Sequence, residues 1–230
     1  MITKETKPFF DHFIDLKSFL LKVVLSVGVG SIISLIYSNY FISLITNPLK
    51  GRLLHFLSPT DSLFFLIKIH LFFGVLLSSP ALLYFLWNYF KPILKIKERI
   101  FIHNYIFSGV ILSVIGLIYA YFSLLPASLD ILLNLSPQGT EIILTANNYI
   151  DFVISNLLIV ILVFQTPIIV YSLIQSKLVN KKIIQSKRKV IYFSIIVLLA
   201  ALTPTPDIIS LILIIIPILT LFEIALFFAN

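Results

Sequence analysis

The chain has 230 residues, 59% of them hydrophobic, and a formal net charge of +7. With a mean hydropathy of +1.07, this composition excludes an ordinary soluble domain and points to an integral membrane protein, with room for about six spans of roughly 20 residues each. The lack of cysteine excludes disulfides and thiolate metal sites, and the basic residues cluster between apolar runs as topology signals do, which argues against a nucleic-acid partner.

The first predicted span runs from about Phe19 to Ile45. Its apolar run is too long for the h-region of a secretory signal, and no small-x-small cleavage site follows it. Glu5, Asp11 and Asp15 lie just upstream, and an organelle presequence avoids such acids. The N-terminus is therefore expected to stay on the side of the membrane where the chain is made. The second span is predicted from about Leu63 to Phe90, the third from Ile100 to Leu125, and the fourth from Phe152 to Ile174. The fifth, Val190 to Leu202, and the sixth, Ile208 to Phe228, form a hairpin around Thr203, Pro204, Thr205, Pro206 and Asp207, whose prolines cannot continue a helix. The fifth span covers about 20 Å, against a hydrocarbon core of about 30 Å. Either the helix begins earlier, with Lys187 to Lys189 snorkelling, or a short hairpin thins the bilayer locally. No internal repeat is visible. The predicted fold is an all-α integral membrane protein, a single six-span domain over residues 1–230.

Orientation follows from the lysines and arginines. Lys4, Lys7, Lys17 and Lys22 accompany the N-terminal segment; Lys91, Lys95, Lys97 and Arg99 follow the second span; Lys177, Lys181, Lys182, Lys187, Arg188 and Lys189 precede the fifth. These alternate segments hold 14 of the 17 basic residues, and the opposite side keeps Lys50, Arg52 and Lys68. The positive-inside rule places both termini in the cytoplasm, or in a mitochondrial matrix.

Ionisable groups at mid-span mark membrane enzymes and pumps, because they are costly to bury. The histidines are His12, His55, His70 and His103, and only His70 lies clearly inside a span, so a bis-histidine haem bundle is excluded. Arg52, Arg99 and Arg188 sit in loops or at span ends, unlike the mid-membrane arginine of a proton-driven rotary subunit. No protease constellation is legible, so the chain is not expected to be an enzyme, and no cofactor or metal is implied. What remains is a group of polar residues. Asp11 and Asp15 are four apart and share a helix face. Glu98 lies beside Arg99, Glu223 near the end of the sixth span, and Gln165 within the fourth, just before Thr166 and Pro167. Each has a plain reading: Asp15 paired with Lys17 or Lys22, Glu98 paired with Lys95 or Arg99, and Gln165 in an interhelical hydrogen bond. The functional reading is one site in which two carboxylates bind a pair of guanidinium groups. Pro80, Pro126, Pro167 and Pro217 are expected to kink or shape packed helices.

In order along the chain, these residues resemble the TatC subunit of the twin-arginine protein translocase. His12-Phe13-Ile14-Asp15-Leu16-Lys17 is similar to that family's H-L-x-E-L-R, and Pro48 of Asn47-Pro48-Leu49 matches a family proline. Ser79, Pro80, Tyr84, Trp87, Pro92 and the Glu98-Arg99 pair resemble its S-x-P-x-x-x-Y-x-x-W, P-x-L and E-R blocks. Phe164-Gln165-Thr166-Pro167 matches the position of F-E-x-P; Thr203 to Asp207, Ile216-Pro217 and Phe222-Glu223 match T-P-x-D, I-P and Y/F-E. Pro206 and Asp207 thus belong to the same structural motif set as the other prolines.

The resemblance implies a receptor for twin-arginine signal peptides that helps move folded proteins across a membrane with the proton-motive force. It further implies TatA/TatB-type single-span partners and self-association. Asp15 and Glu98 are then the acids that take the two arginines, with His12, Lys17 and Arg99 around them. Gln165, Thr166 and Glu223 become intramembrane polar groups for partner docking. The implied membrane is bacterial cytoplasmic or mitochondrial inner. Four positions depart from the family pattern: Asp15 stands for Glu, Lys17 and Phe19 stand where arginines are common, and the neutral Gln165 stands for a mid-membrane Glu. A small-solute transporter or channel is the competing class; it favours two related halves meeting at a midplane site, which the chain lacks.

Overall fold

The computed structural model describes residues 9–92, 94, 96–135, 142–202 and 208–228. Among them every regular element is a helix, with one isolated bridge between His55 and Thr145. A backbone that must satisfy its own polar groups in lipid has no other open form.

Helix α1 (Phe9–Ile36) is followed at Tyr37 by a turn and then by α2 (Ser38–Thr46). The predicted first span is therefore two helices, and the Tyr40 N–H bonds the Tyr37 carbonyl at 3.0 Å across the break. A 3₁₀ turn, Asn47–Leu49, buries Pro48 and ends at Lys50 and Gly51, both with positive φ. Helix α3 (Pro59–Phe90) starts where Asp61 accepts the N–H groups of Leu57 and Ser58, each at 3.0 Å. Pro80 sits inside α3 and removes the N–H that the Leu76 carbonyl would accept. The Ser79 hydroxyl donates to that same carbonyl at 2.7 Å, so the helix continues.

Helix α4 (Ile96–Tyr119) runs through a π-helical turn, Ala120–Leu124, into α5 (Leu125–Asn134). The third span thus continues to Asn134, beyond the predicted end at Leu125. Pro126 does not stop it, because it stands in the first turn of α5, where the preceding π turn has already left the i→i−4 ladder. Helices α6 (Ala146–Val163) and α7 (Thr166–Gln175) share the fourth apolar segment and part at Phe164 and Gln165. The short α8 (Lys181–Ser186), capped by the Asn180 side chain on Lys182 N–H, precedes α9 (Arg188–Leu202) and α10 (Ile208–Phe228). Among the described residues five helical stretches are long and apolar enough to cross a membrane: Asp15–Ile36, Pro59–Phe90, Ile102–Asn134, Ala146–Gln175 and Ser210–Phe228. Helix α9 starts two residues before the predicted fifth span, and its length is still about 22 Å. The predicted turn carrying Pro206 and Asp207 lies outside the described residues.

The chain divides into two compact units. The first comprises residues 1–44 and 63–103. Here α1 and α3 meet at glycine: a Cβ on Gly30 would stand 2.4 Å from the Gly74 carbonyl oxygen, and one on Gly74 would stand 2.1 Å from Ser31 Oγ. Small residues at such a crossing let the backbones close up, which is how helices gain packing energy in lipid. His70 is buried one turn away, with Nδ1 2.9 Å from Ser34 Oγ and Nε2 3.2 Å from Ser38 Oγ.

The second unit comprises residues 45–62 and 104–230. Its interior includes Leu124, Leu125, Ile150, Val153 and Val160, and α7 packs on α10 through Val170, Ile174, Phe222 and Leu226. Pro217 inside α10 frees the Leu213 carbonyl, and the Tyr119 hydroxyl donates to it at 2.8 Å. Tyr149 donates likewise to the Ile45 carbonyl at 2.6 Å. The segment around His55 is tied to the start of α6 by His55 N–H to Leu144 O (2.8 Å) and Ala146 N–H to His55 O (3.0 Å).

Candidate functional site

Asp15 and Lys17 lie exposed on the N-terminal part of α1, one turn before Phe19. Phe19 is four residues from Asp15, so the two share a face. Its ring packs 5.1 Å from that of Tyr89, centroid to centroid, in the last turn of α3. Helix α3 ends there, Lys91 and Pro92 form an exposed turn, and α4 begins at Ile96. Arg99 is half-buried and its Nε donates to the Leu94 carbonyl at 3.1 Å, which ties Leu94 to the first turn of α4. The Trp87 ring lies 5.7 Å from that of His103 and joins α3 to α4, and Tyr84 is exposed on α3. Within this unit the Asp15 face of α1 therefore meets the end of α3 that leads to Glu98. The side chains of His12 and Glu98 lie outside the described residues, so the predicted pairing of the two acids does too.

The second group of predicted residues sits in the other unit. Gln165 occupies the break between α6 and α7, with Thr166 and Pro167 opening α7. Its Nε2 donates to Ser113 Oγ at 2.7 Å and to the Gly109 carbonyl at 3.2 Å, both on α4. Facing a carbonyl fixes the amide orientation, because the flipped form would set two oxygens against each other. Gly109 leaves room there: a Cβ on it would lie 3.0 Å from Gln165 Oε1, and the amide would have to shift by a few tenths of an ångström. The amide thus spends its donors within the chain and keeps an oxygen as acceptor.

Glu223 on α10 is held by α9. The Tyr192 hydroxyl donates to Oε1, and Arg188 Nη2 pairs with Oε2 at 3.0 Å. Arg188 and Tyr192 are four apart on α9, so both reach one carboxylate. Sequence reasoning singled out Glu223 but missed these two partners, as it missed Ser113 and Gly109 for Gln165. The i,i+4 spacing of Arg188 and Tyr192 was the only available signal. A buried Ser34–His70 pair also forms, although no protease constellation was legible. Both ring nitrogens face hydroxyls, neither is oriented by a carboxylate, and His70 is only 4% exposed, so the pair serves packing of α1 on α3. Among the described residues no cluster of three or more His, Asp or Glu is placed to hold a metal ion.

The family model for the Sec-independent protein translocase protein (TatC) matches residues 11–217. A TatC from Carboxydothermus hydrogenoformans is 33% identical over 231 residues, covering 98% of this chain and 95% of the relative. A TatC from Aquifex aeolicus is 30% identical over 228 residues, covering 96% and 93%. A crystal structure of the twin-arginine translocase receptor TatC, in the detergent DDM, superposes with a TM-score of 0.77 at 30% identity, covering 95% of this chain and 99% of that one. The chain belongs to the TatC family of Sec-independent protein translocase proteins and is a multi-pass helical membrane component of a protein-transport system.

Proposed function

We propose that the chain is the core receptor of a twin-arginine translocase. It binds signal peptides bearing two arginines on the cytoplasmic side and moves folded proteins across an energised membrane, bacterial or organellar. The observation that carries this reading is the packing of Phe19 on Tyr89, which holds the Asp15 face of α1 against the end of α3 that leads to Glu98 and Arg99. Two carboxylates there accept guanidinium forks bidentately, and His12, Lys17 and Arg99 form the basic rim that sets their spacing. A relative with a solved structure is itself described as the twin-arginine translocase receptor. Family membership removes the support for a small-solute transporter.

The chain forms a single six-span domain over residues 1–230 with both termini inside, α9 being the short fifth crossing and α9–α10 the closing hairpin. The alternation of basic clusters along the sequence supports this orientation. TatA/TatB-type single-span partners dock on intramembrane polar groups, of which Gln165 offers an acceptor oxygen, with Thr166 beside it; Glu223 on α10 joins them only through the cluster it forms with Tyr192 and Arg188. Self-association completes the assembly. Photocrosslinking of a twin-arginine signal peptide to the membrane-inserted chain tests the reading. Asp15→Ala or Glu98→Ala should abolish the crosslink while the protein still inserts; an unchanged crosslink in both variants refutes the site.

A further inference from the structure

A groove of about 570 Å³ opens beside the Arg188–Glu223 pair, in the second unit. One half is polar and made by α8 and α9: Lys181 and Arg188 line it. The other half is the last turns of α10, where Leu226, Phe227 and Phe228 line it. Phe227 and Phe228 are 79% and 68% exposed, at the end of a stretch apolar enough to cross a membrane. Lys182 on α8, Lys187 in the turn that follows and Lys189 on α9 are exposed. The one acid in the lining is Glu223, and its two oxygens are already taken by Tyr192 and Arg188. The groove therefore brings net positive charge and bare aromatic surface together at the end of a stretch apolar enough to cross a membrane.

We infer that this groove is a binding site for an anionic phospholipid of the surrounding bilayer. The phosphodiester is taken by the Lys181 ammonium and by guanidinium N–H groups of Arg188 not committed to Glu223, since a guanidinium has five such donors. The first methylenes of an acyl chain lie along Phe227 and Phe228, which would otherwise meet the loosely packed headgroup boundary. Basic pockets at the ends of spanning helices recognise anionic headgroups by this combination of charge and apolar wall. Charge complementarity selects the occupant: a zwitterionic lipid brings its own ammonium to a lysine-rich end, and an apolar protein helix brings no counter-charge for Lys181, since Glu223 is already paired with Arg188. Bound lipid would also brace α8 and α9 against α10, because its headgroup holds Lys181 and Arg188 while its acyl chain lies on Phe227 and Phe228.

The test uses the full chain in detergent. Thermal unfolding is followed with added phosphatidylglycerol, phosphatidylcholine or inorganic phosphate in separate arms, and native mass spectrometry counts retained lipids. Phosphatidylglycerol should raise the melting temperature and remain bound; phosphatidylcholine and inorganic phosphate should do neither. Lys181→Glu, and the milder Lys181→Gln, should weaken phosphatidylglycerol retention about fivefold or more without changing the lipid-free melting temperature. Arg52→Glu, the same charge change elsewhere, should leave retention unaltered. Equal shifts with both lipids overturn the inference. So does a full shift from phosphate alone, or a Lys181→Glu variant that changes oligomeric state while retaining lipid normally.

Discussion

Gln165→Leu separates the two uses of a single amide. The substitution conserves side-chain bulk but removes both donors, and so the bonds to Ser113 Oγ and to the Gly109 carbonyl. Interhelical hydrogen bonds in membranes average about 0.6 kcal/mol, so the pair is worth about 1 kcal/mol. Relaxation limits the loss, since Ser113 can donate instead to the carbonyl four residues back in its own helix, which is that of Gly109. In a chain of this length about 1 kcal/mol lowers the melting temperature by roughly 2–4 °C. Partner docking should suffer more, because the leucine has no acceptor at all for a polar group on a partner's helix. Gln165→Glu is the complement: an ionised carboxylate keeps acceptor oxygens but has no donor for the Gly109 carbonyl, so it should lose stability while partner association persists. The assays are thermal unfolding in detergent, co-purification of a single-span partner, and signal-peptide crosslinking. If Gln165→Leu weakens signal-peptide binding more than partner association, the docking role of this residue is wrong. If its melting temperature does not move, the two hydrogen bonds do not hold α4 to the α6–α7 break.

Other consequences follow from the same geometry. Gly30→Ala places a methyl 2.4 Å from the Gly74 carbonyl oxygen and should cost about 1–3 kcal/mol by overpacking, read as a lower melting temperature; an unchanged value would deny the close crossing of α1 and α3. Tyr119→Phe orphans the Leu213 carbonyl opposite Pro217 and should cost about 1 kcal/mol, but less in a Pro217→Ala background, where the restored N–H serves that carbonyl; additive losses in a double-mutant cycle would contradict the pairing. Because the chain has no cysteine, single cysteines at Gly51 and at Lys177 should label from opposite sides of the membrane with an impermeant maleimide. Labelling of both from one side would refute the proposed orientation.

Five of the expected spans were legible because an apolar run of sufficient length has only a helical solution in lipid. Their breaks were less so. Tyr37 interrupts the first run without proline or glycine, at a point where Ser34 and Ser38 turn to His70 across a helix interface. The third span was expected to end at Leu125, yet a π turn immediately before Pro126 lets the helix run on, and such a turn has no local sequence signal. Pro80 and Pro217 were rightly expected inside helices. Their compensation came from Ser79, a neighbour in sequence, in one case and from Tyr119, 94 residues before the Leu213 carbonyl it serves, in the other. The same distinction governs the polar residues. Gln165, Glu223 and Asp15 stood out by type in an apolar context, whereas Ser113, Arg188 and Tyr192 became visible as their partners only once the helices were packed.

The measurement closest to the central claim is a coupling energy. Affinities of a signal peptide with Arg-Arg and with Lys-Lys are measured for the wild-type chain in nanodiscs and for Asp15→Asn and Glu98→Gln. Bidentate recognition predicts that the Arg-to-Lys penalty, about tenfold or more in the wild type, shrinks in each variant, with coupling of about 1–3 kcal/mol. A penalty of the same size in all three proteins would mean that the arginines are read somewhere else.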